Sequence, residues 1–140
     1  MNLSMNEKAD MLESDFAMFD SWEEKYEYLM DLGRDLHWPK NRAQTDNMLI
    51  RGCQSRVWLD HEMKDGKMVF YASSEALIVK GLVAMLLSLY SGRTPAEILA
   101  FKPDFIDRIG LSQHLSPTRS NGLLSMLNTI QRTAIALQNA

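Results

Sequence analysis

Along most of the chain apolar residues recur at helical spacing, and one central stretch is instead rich in β-formers. Ser4-Met5-Asn6-Glu7 has the form of a capping box and predicts a short helix through Met11, Leu12 and Phe16. Asp20-Ser21-Trp22-Glu23 marks a second start. Trp22, Tyr26, Leu29, Met30 and Leu32 then make an apolar stripe, with Gly33 as the expected stop. Arg34 to Asn47 is polar, contains Pro39 and has no period, so it reads as a loop wrapping toward a site. Met48-Leu49-Ile50 reads as a short strand. Val57 to Met63 and Met68 to Ala72 read as two more, joined antiparallel through the hairpin signal Asp65-Gly66.

Beyond the hairpin the helical period returns. Ser73 or Ser74 is expected to cap a helix over 75–90 that Gly92 closes, with Ile78, Leu82, Met85, Leu86 and Leu89 on its apolar face. Gly81 inside it costs about 1 kcal/mol against alanine, which points to close backbone packing. Thr94-Pro95-Ala96-Glu97 is a second capping box with proline at the first helical position. It predicts a short helix to Phe101, followed by a turn or two over 104–109 and a loop over 110–117. A final helix, capped by Ser116 or Ser120, is expected to reach about Leu137. Strands segregated from helices predict an α+β fold. The simplest form is a three-stranded antiparallel sheet with helices packed against it, in a single domain over residues 1–140.

Composition narrows the chemistry. The net charge of −3 argues against a nucleic-acid partner. The first residues lack a basic segment and a continuous apolar run, so no signal peptide is expected. The most apolar stretch, 76–90, is broken by Lys80, Gly81 and Ser88 and falls short of the roughly 20 residues that span a bilayer. A cytoplasmic protein without membrane contact is the expectation. Neither G-x-G-x-x-G nor a Walker-type phosphate loop occurs.

One cysteine excludes an intrachain disulfide and a multi-cysteine metal site built by this chain alone. Cys53 lies in Ile50-Arg51-Gly52-Cys53-Gln54-Ser55-Arg56. A lone cysteine is often a small buried hydrophobe. Against that, Gly52 permits a left-handed backbone, and Arg51 and Arg56 could stabilise a thiolate or simply be solvated. His37, His61 and His114 show no ligand spacing. A hydrolase using Cys53 with His114 stays open, since dyad partners need only be neighbours in space; so does a binding module with Cys53 inert. Arg119 sits in the first turn of the last helix, against the macrodipole preference. A salt bridge or a functional placement would each explain it.

Four motifs then bear a resemblance. Trp22-Glu23-Glu24-Lys25-Tyr26, Gly52-Cys53-Gln54-Ser55 with Val57-Trp58, Ile78-Val79-Lys80-Gly81-Leu82, and Gln113-His114-Leu115-Ser116-Pro117-Thr118-Arg119-Ser120-Asn121-Gly122-Leu123 resemble, in order and spacing, the SufE family of sulfur acceptors. The likeness runs from about Phe16 to the C-terminus. It implies a fold similar to scaffold proteins of the IscU type and a persulfide carried on Cys53. The sulfur would come from a SufS-like cysteine desulfurase, which the chain would stimulate, and would go to a SufBCD-like iron–sulfur scaffold. The pyridoxal phosphate belongs to the desulfurase, so no cofactor of its own is expected here. Gly52, Gln54 and Ser55 are expected to shape the thiol loop, with Arg119 and His114 near that loop or the partner. Glu75 stands where an aspartate is expected beside the central helix.

Overall fold

The structure, a computed structural model, describes residues 3–139. Helices α1 (Met5–Ala17) and α2 (Trp22–Arg34) lead to a single 3-10 turn, Asp46–Met48. Strands β1 (Val57–Lys64) and β2 (Lys67–Ser74) follow. Then come α3 (Leu77–Tyr90), the short α4 (Pro95–Ala100), α5 (Phe105–Ile109) and α6 (Leu111–His114), and the long α7 (Pro117–Gln138).

The local signals act as expected at several ends. Ser4 Oγ accepts from the Glu7 N–H at 3.1 Å while Glu7 Oε1 accepts from the Ser4 N–H at 2.9 Å. Thr94 and Glu97 repeat this reciprocal cap at 3.1 and 3.0 Å. Asp65 and Gly66 both have positive φ, 53° and 79°, in a two-residue turn that pairs Lys64 with Lys67. Ser116, not Ser120, caps α7.

Two strands, not three, form the sheet among the described residues. The segment expected as a first strand makes one bridge only, Leu49 to Trp58, held by the Ile50 N–H on the Val57 carbonyl at 2.9 Å. Upstream, Asp46 and Asn47 coil into the 3-10 turn, and downstream Gly52 turns away at φ 89°. Too few residues stay extended between those turns to build a ladder. The α+β class stands; the three-stranded sheet does not.

Three other expectations also need correction. Ser73 and Ser74 belong to β2, and α3 starts after Ala76 without a side-chain cap. Its end is as expected, with Tyr90 last and Gly92 in the left-handed region just past the Ser91 cap. The loop expected over 110–117 contains α6. The 34–47 segment goes to the outer face of the sheet, where Arg42 pairs with Asp60 and Glu62 and lies over the Tyr71 ring at 4.1 Å.

Gly33 does not stop α2. A Cβ there would lie 2.8 Å from the Gly81 backbone nitrogen, and one at Gly81 would overlap the Leu29 carbonyl. The two glycines let α2 and α3 cross backbone to backbone, the close packing that Gly81 suggested. On β2, Met68, Phe70, Ala72 and Ser74 are buried at alternate positions. With Leu82, Met85, Leu86 and Leu89 of α3 and Leu123, Leu127 and Ile130 of α7, the apolar members of that face belong to one core. Its interior anchors the helix and strand ends from which the cysteine loop is hung.

Candidate functional site

The loop 51–56 is tied at both ends. The Ile50 N–H donates to the Val57 carbonyl, and the buried Ser74 hydroxyl donates to the Arg56 carbonyl at 2.9 Å. Between these ties Gly52 supplies the positive φ and lies directly over α7; a Cβ there would be 2.6 Å from Ser125 Oγ. The turn directs Cys53 onto the same helix, where its thiol donates to the Gly122 carbonyl at 3.6 Å, a long sulfur hydrogen bond.

Cys53 is half-buried at one wall of a pocket of about 370 Å3. Gln54 and Ser55 continue the loop wall, Val79 and Met126 are its apolar lining, and Arg119 is its cation. Ser116, Thr118 and Gly122 line it from the start of α7. Arg119, Gly122 and Met126 stand at i, i+3 and i+7, so one face of α7 presents all three.

Burial pushes the Cys53 thiol above its ordinary range. Its bond to a carbonyl acts the same way, because only the protonated form has a hydrogen to donate. The expected effect of Arg51 and Arg56 is not seen: both are exposed, and burial alone accounts for the shift. Sulfur here is a neutral, poorly nucleophilic thiol until something changes around it.

The remaining expected residues divide. His114 does not line the pocket; its ring stacks on Trp22 with centroids 4.0 Å apart, and Nδ1 lies 2.9 Å from the Gly110 carbonyl. The Tyr26 hydroxyl bonds to the His114 carbonyl, so the first and last of the four motifs meet at this corner. Glu75 is exposed at the end of β2 and lines no part of the pocket. Arg119 makes no ion pair among the described residues, which removes the salt-bridge explanation for its position. Val79, Met126 and Ser125 were not singled out from sequence for the site. The i, i+3, i+7 spacing from Arg119 through Gly122 to Met126 was the one available signal on α7.

The family model SufE, described as an Fe-S metabolism associated domain, matches residues 10–134. The chain belongs to the SufE family. An uncharacterized SufE-like protein of Rhizobium meliloti (strain 1021) is 38% identical over 130 residues, covering 89% of this chain and 93% of that protein. The fold is also that of a hypothetical protein from Thermus thermophilus solved in solution. The TM-score is 0.78 at 20% identity, over 95% of this chain and 97% of that one. SufE membership ties the chain to iron–sulfur metabolism. Among the described residues no helix is long and apolar enough to cross a membrane, and no cluster of metal-ligating side chains occurs.

Proposed function

We propose that this SufE-family chain accepts sulfur on Cys53 from a pyridoxal-phosphate cysteine desulfurase of the SufS type, stimulates that enzyme, and delivers the sulfur to a SufBCD-like scaffold. The observation that carries the reading is the seating of the chain's one thiol in a pocket that no histidine or carboxylate lines. Hydrolysis needs a base beside the nucleophile; sulfane transfer needs a thiolate and access to it. With His114 on Trp22, the Cys53–His114 hydrolase lacks support.

The step balances without an added oxidant. The Cys53 thiol gives up its proton, and its sulfur attacks the outer sulfur of the donor's persulfide. A new S–S bond forms as the donor's own S–S bond breaks. Cys53 then carries –S–SH, and the donor cysteine leaves as a thiolate that takes up a proton. The raised thiol pKa holds this chemistry back in the free protein, and docking that lifts the loop off Gly122 releases it. Gln54, Ser55 and Arg119 surround the sulfur during transfer. No cofactor is required of this chain.

Mass spectrometry tests the proposal. Incubated with desulfurase and cysteine, the protein should gain one sulfur, about 32 Da, on Cys53. The reading fails if no sulfur is gained, or if Cys53→Ser gains it equally. Full stimulation of the desulfurase by Cys53→Ala would instead favour a binding module with an inert thiol.

A further inference from the structure

The eight arginines of the chain fall into two sets. Arg34, Arg42, Arg93 and Arg108 are each ion-paired with a carboxylate. Arg51, Arg56, Arg119 and Arg132 are all exposed, and none has a carboxylate partner among the described residues. The unpaired set lies entirely in two segments, 49–56 and 116–138, which hold four of the 15 cations and none of the 18 carboxylates. The rest of the chain, with 11 cations against 18 carboxylates, is left at −7. A chain with surplus acid has left the two segments that carry and seat its cysteine with cations only.

The geometry brings three of these four charges to two hollows along α7, and Arg56 lines neither. Beside the cysteine pocket lies a second groove of about 370 Å3, lined by Arg51, Ser125, Asn128, Gln131, Arg132 and Ile135. Arg119 lines the first hollow, Arg51 and Arg132 the second, and no carboxylate lines either. The two lie along one helix with Gly52 seated on Ser125 between them. From Arg119 to Arg132 α7 advances about 20 Å, shorter than the roughly 28 Å side of a square patch of about 800 Å2, the area one partner contributes to a standard interface. Leu124 and Ile135, 55% and 49% exposed, add apolar surface to the same helix.

We infer that the arginine-bearing groove of α7 and the Cys53 loop is the docking surface for an acidic face of the sulfur-donating protein, with Arg51 and Arg132 as its principal contacts. The inference rests on the proposed sulfur-acceptor function. Charge complementarity selects the occupant: unpaired guanidinium groups fit carboxylates bidentately and steer an acidic protein toward the thiol. The −7 carried elsewhere repels an extended polyanion such as nucleic acid, which would overrun the cationic strip.

The experiment measures the half-saturating concentration of whichever desulfurase loads the wild-type chain, read as persulfide on Cys53, in about 0.1 M and about 1 M salt, where the Debye length falls from roughly 10 to 3 Å. Arg51→Glu/Arg132→Glu should raise it by about tenfold or more at the lower salt, with the gap closing at the higher salt. Arg51→Lys/Arg132→Lys should recover most of the affinity, which shows that charge and not folding was lost. Lys67→Glu, exposed at the hairpin tip a full strand length from the Cys53 loop, should leave it unchanged. If wild type and the double Glu variant load alike at both salts, or if Lys67→Glu weakens loading as much, this inference is overturned while the sulfur-acceptor reading stands. If no desulfurase loads the wild type, both fall.

Discussion

Gly52→Ala is the sharpest test of how the thiol is held. Gly52 has φ 89°, and its missing Cβ would lie 2.6 Å from Ser125 Oγ. The hydroxyl sits at the end of a rotatable bond and can swing aside, so the steric part is small. The backbone part is not: a left-handed conformation costs a residue with a Cβ about 1–2 kcal/mol. That strain exists only while the loop is seated on α7, so the unseated state gains by the same amount. A shift of one to two kcal/mol changes an equilibrium by a factor of roughly 5–30. Alkylation of Cys53 by iodoacetamide at fixed pH reads that population. The rate should rise by about 5–30-fold over wild type, the factor carried over from the equilibrium. Gly66→Ala is the control, because Gly66 has φ 79° with nothing within 4 Å of its missing Cβ. It carries similar strain at the hairpin tip and should leave the alkylation rate alone. A rate within about twofold of wild type in Gly52→Ala, or an equal rise in Gly66→Ala, would show that the loop's seat does not govern the thiol.

Three further outcomes are expected. In an open helix Gly81→Ala would stabilise, but here the methyl group meets the Leu29 carbonyl, so urea unfolding should show a net loss of about 1–3 kcal/mol. Tyr90 is fully buried, its hydroxyl has no partner among the described residues, and burial pushes its pKa up to about 12. Tyr90→Phe should therefore be neutral or raise stability by about 1 kcal/mol in thermal melts, and a marked loss would reveal a partner for the hydroxyl. Because burial raises the Cys53 thiol, the native state keeps a proton that the unfolded chain releases first. Stability is then intact below the ordinary thiol range and declines as pH climbs from about 8 toward 10. Denaturant midpoints should show that decline in wild type and less of it in Cys53→Ser; an identical decline in both refutes the shift.

Much of the architecture was legible because it is set locally. Caps at Ser4 and Thr94, the Asp65-Gly66 turn and the helical stripes depend on residues a few positions apart. Four ordered motifs were likewise enough to resemble SufE, and the family match over 10–134 bears that out. Misreadings arose where a local signal had two uses. Gly33 resembles a helix stop, but the Gly81 backbone, far along the chain, needs the space it leaves. Leu49 is a fair strand residue, yet a strand is a property of its partner, and the chain turns after a single bridge.

The site divides along the same line. From sequence alone came the proposed nucleophile, the glycine that bends its loop, and the odd position of Arg119. Only the tertiary structure decided the state of the sulfur. Flanking arginines suggested a stabilised thiolate, but 69 positions separate Cys53 from the Gly122 carbonyl that its thiol meets, and burial there outweighs cations that point into water. Charge acts through the medium between groups as well as through distance, and that medium exists only once the chain has folded.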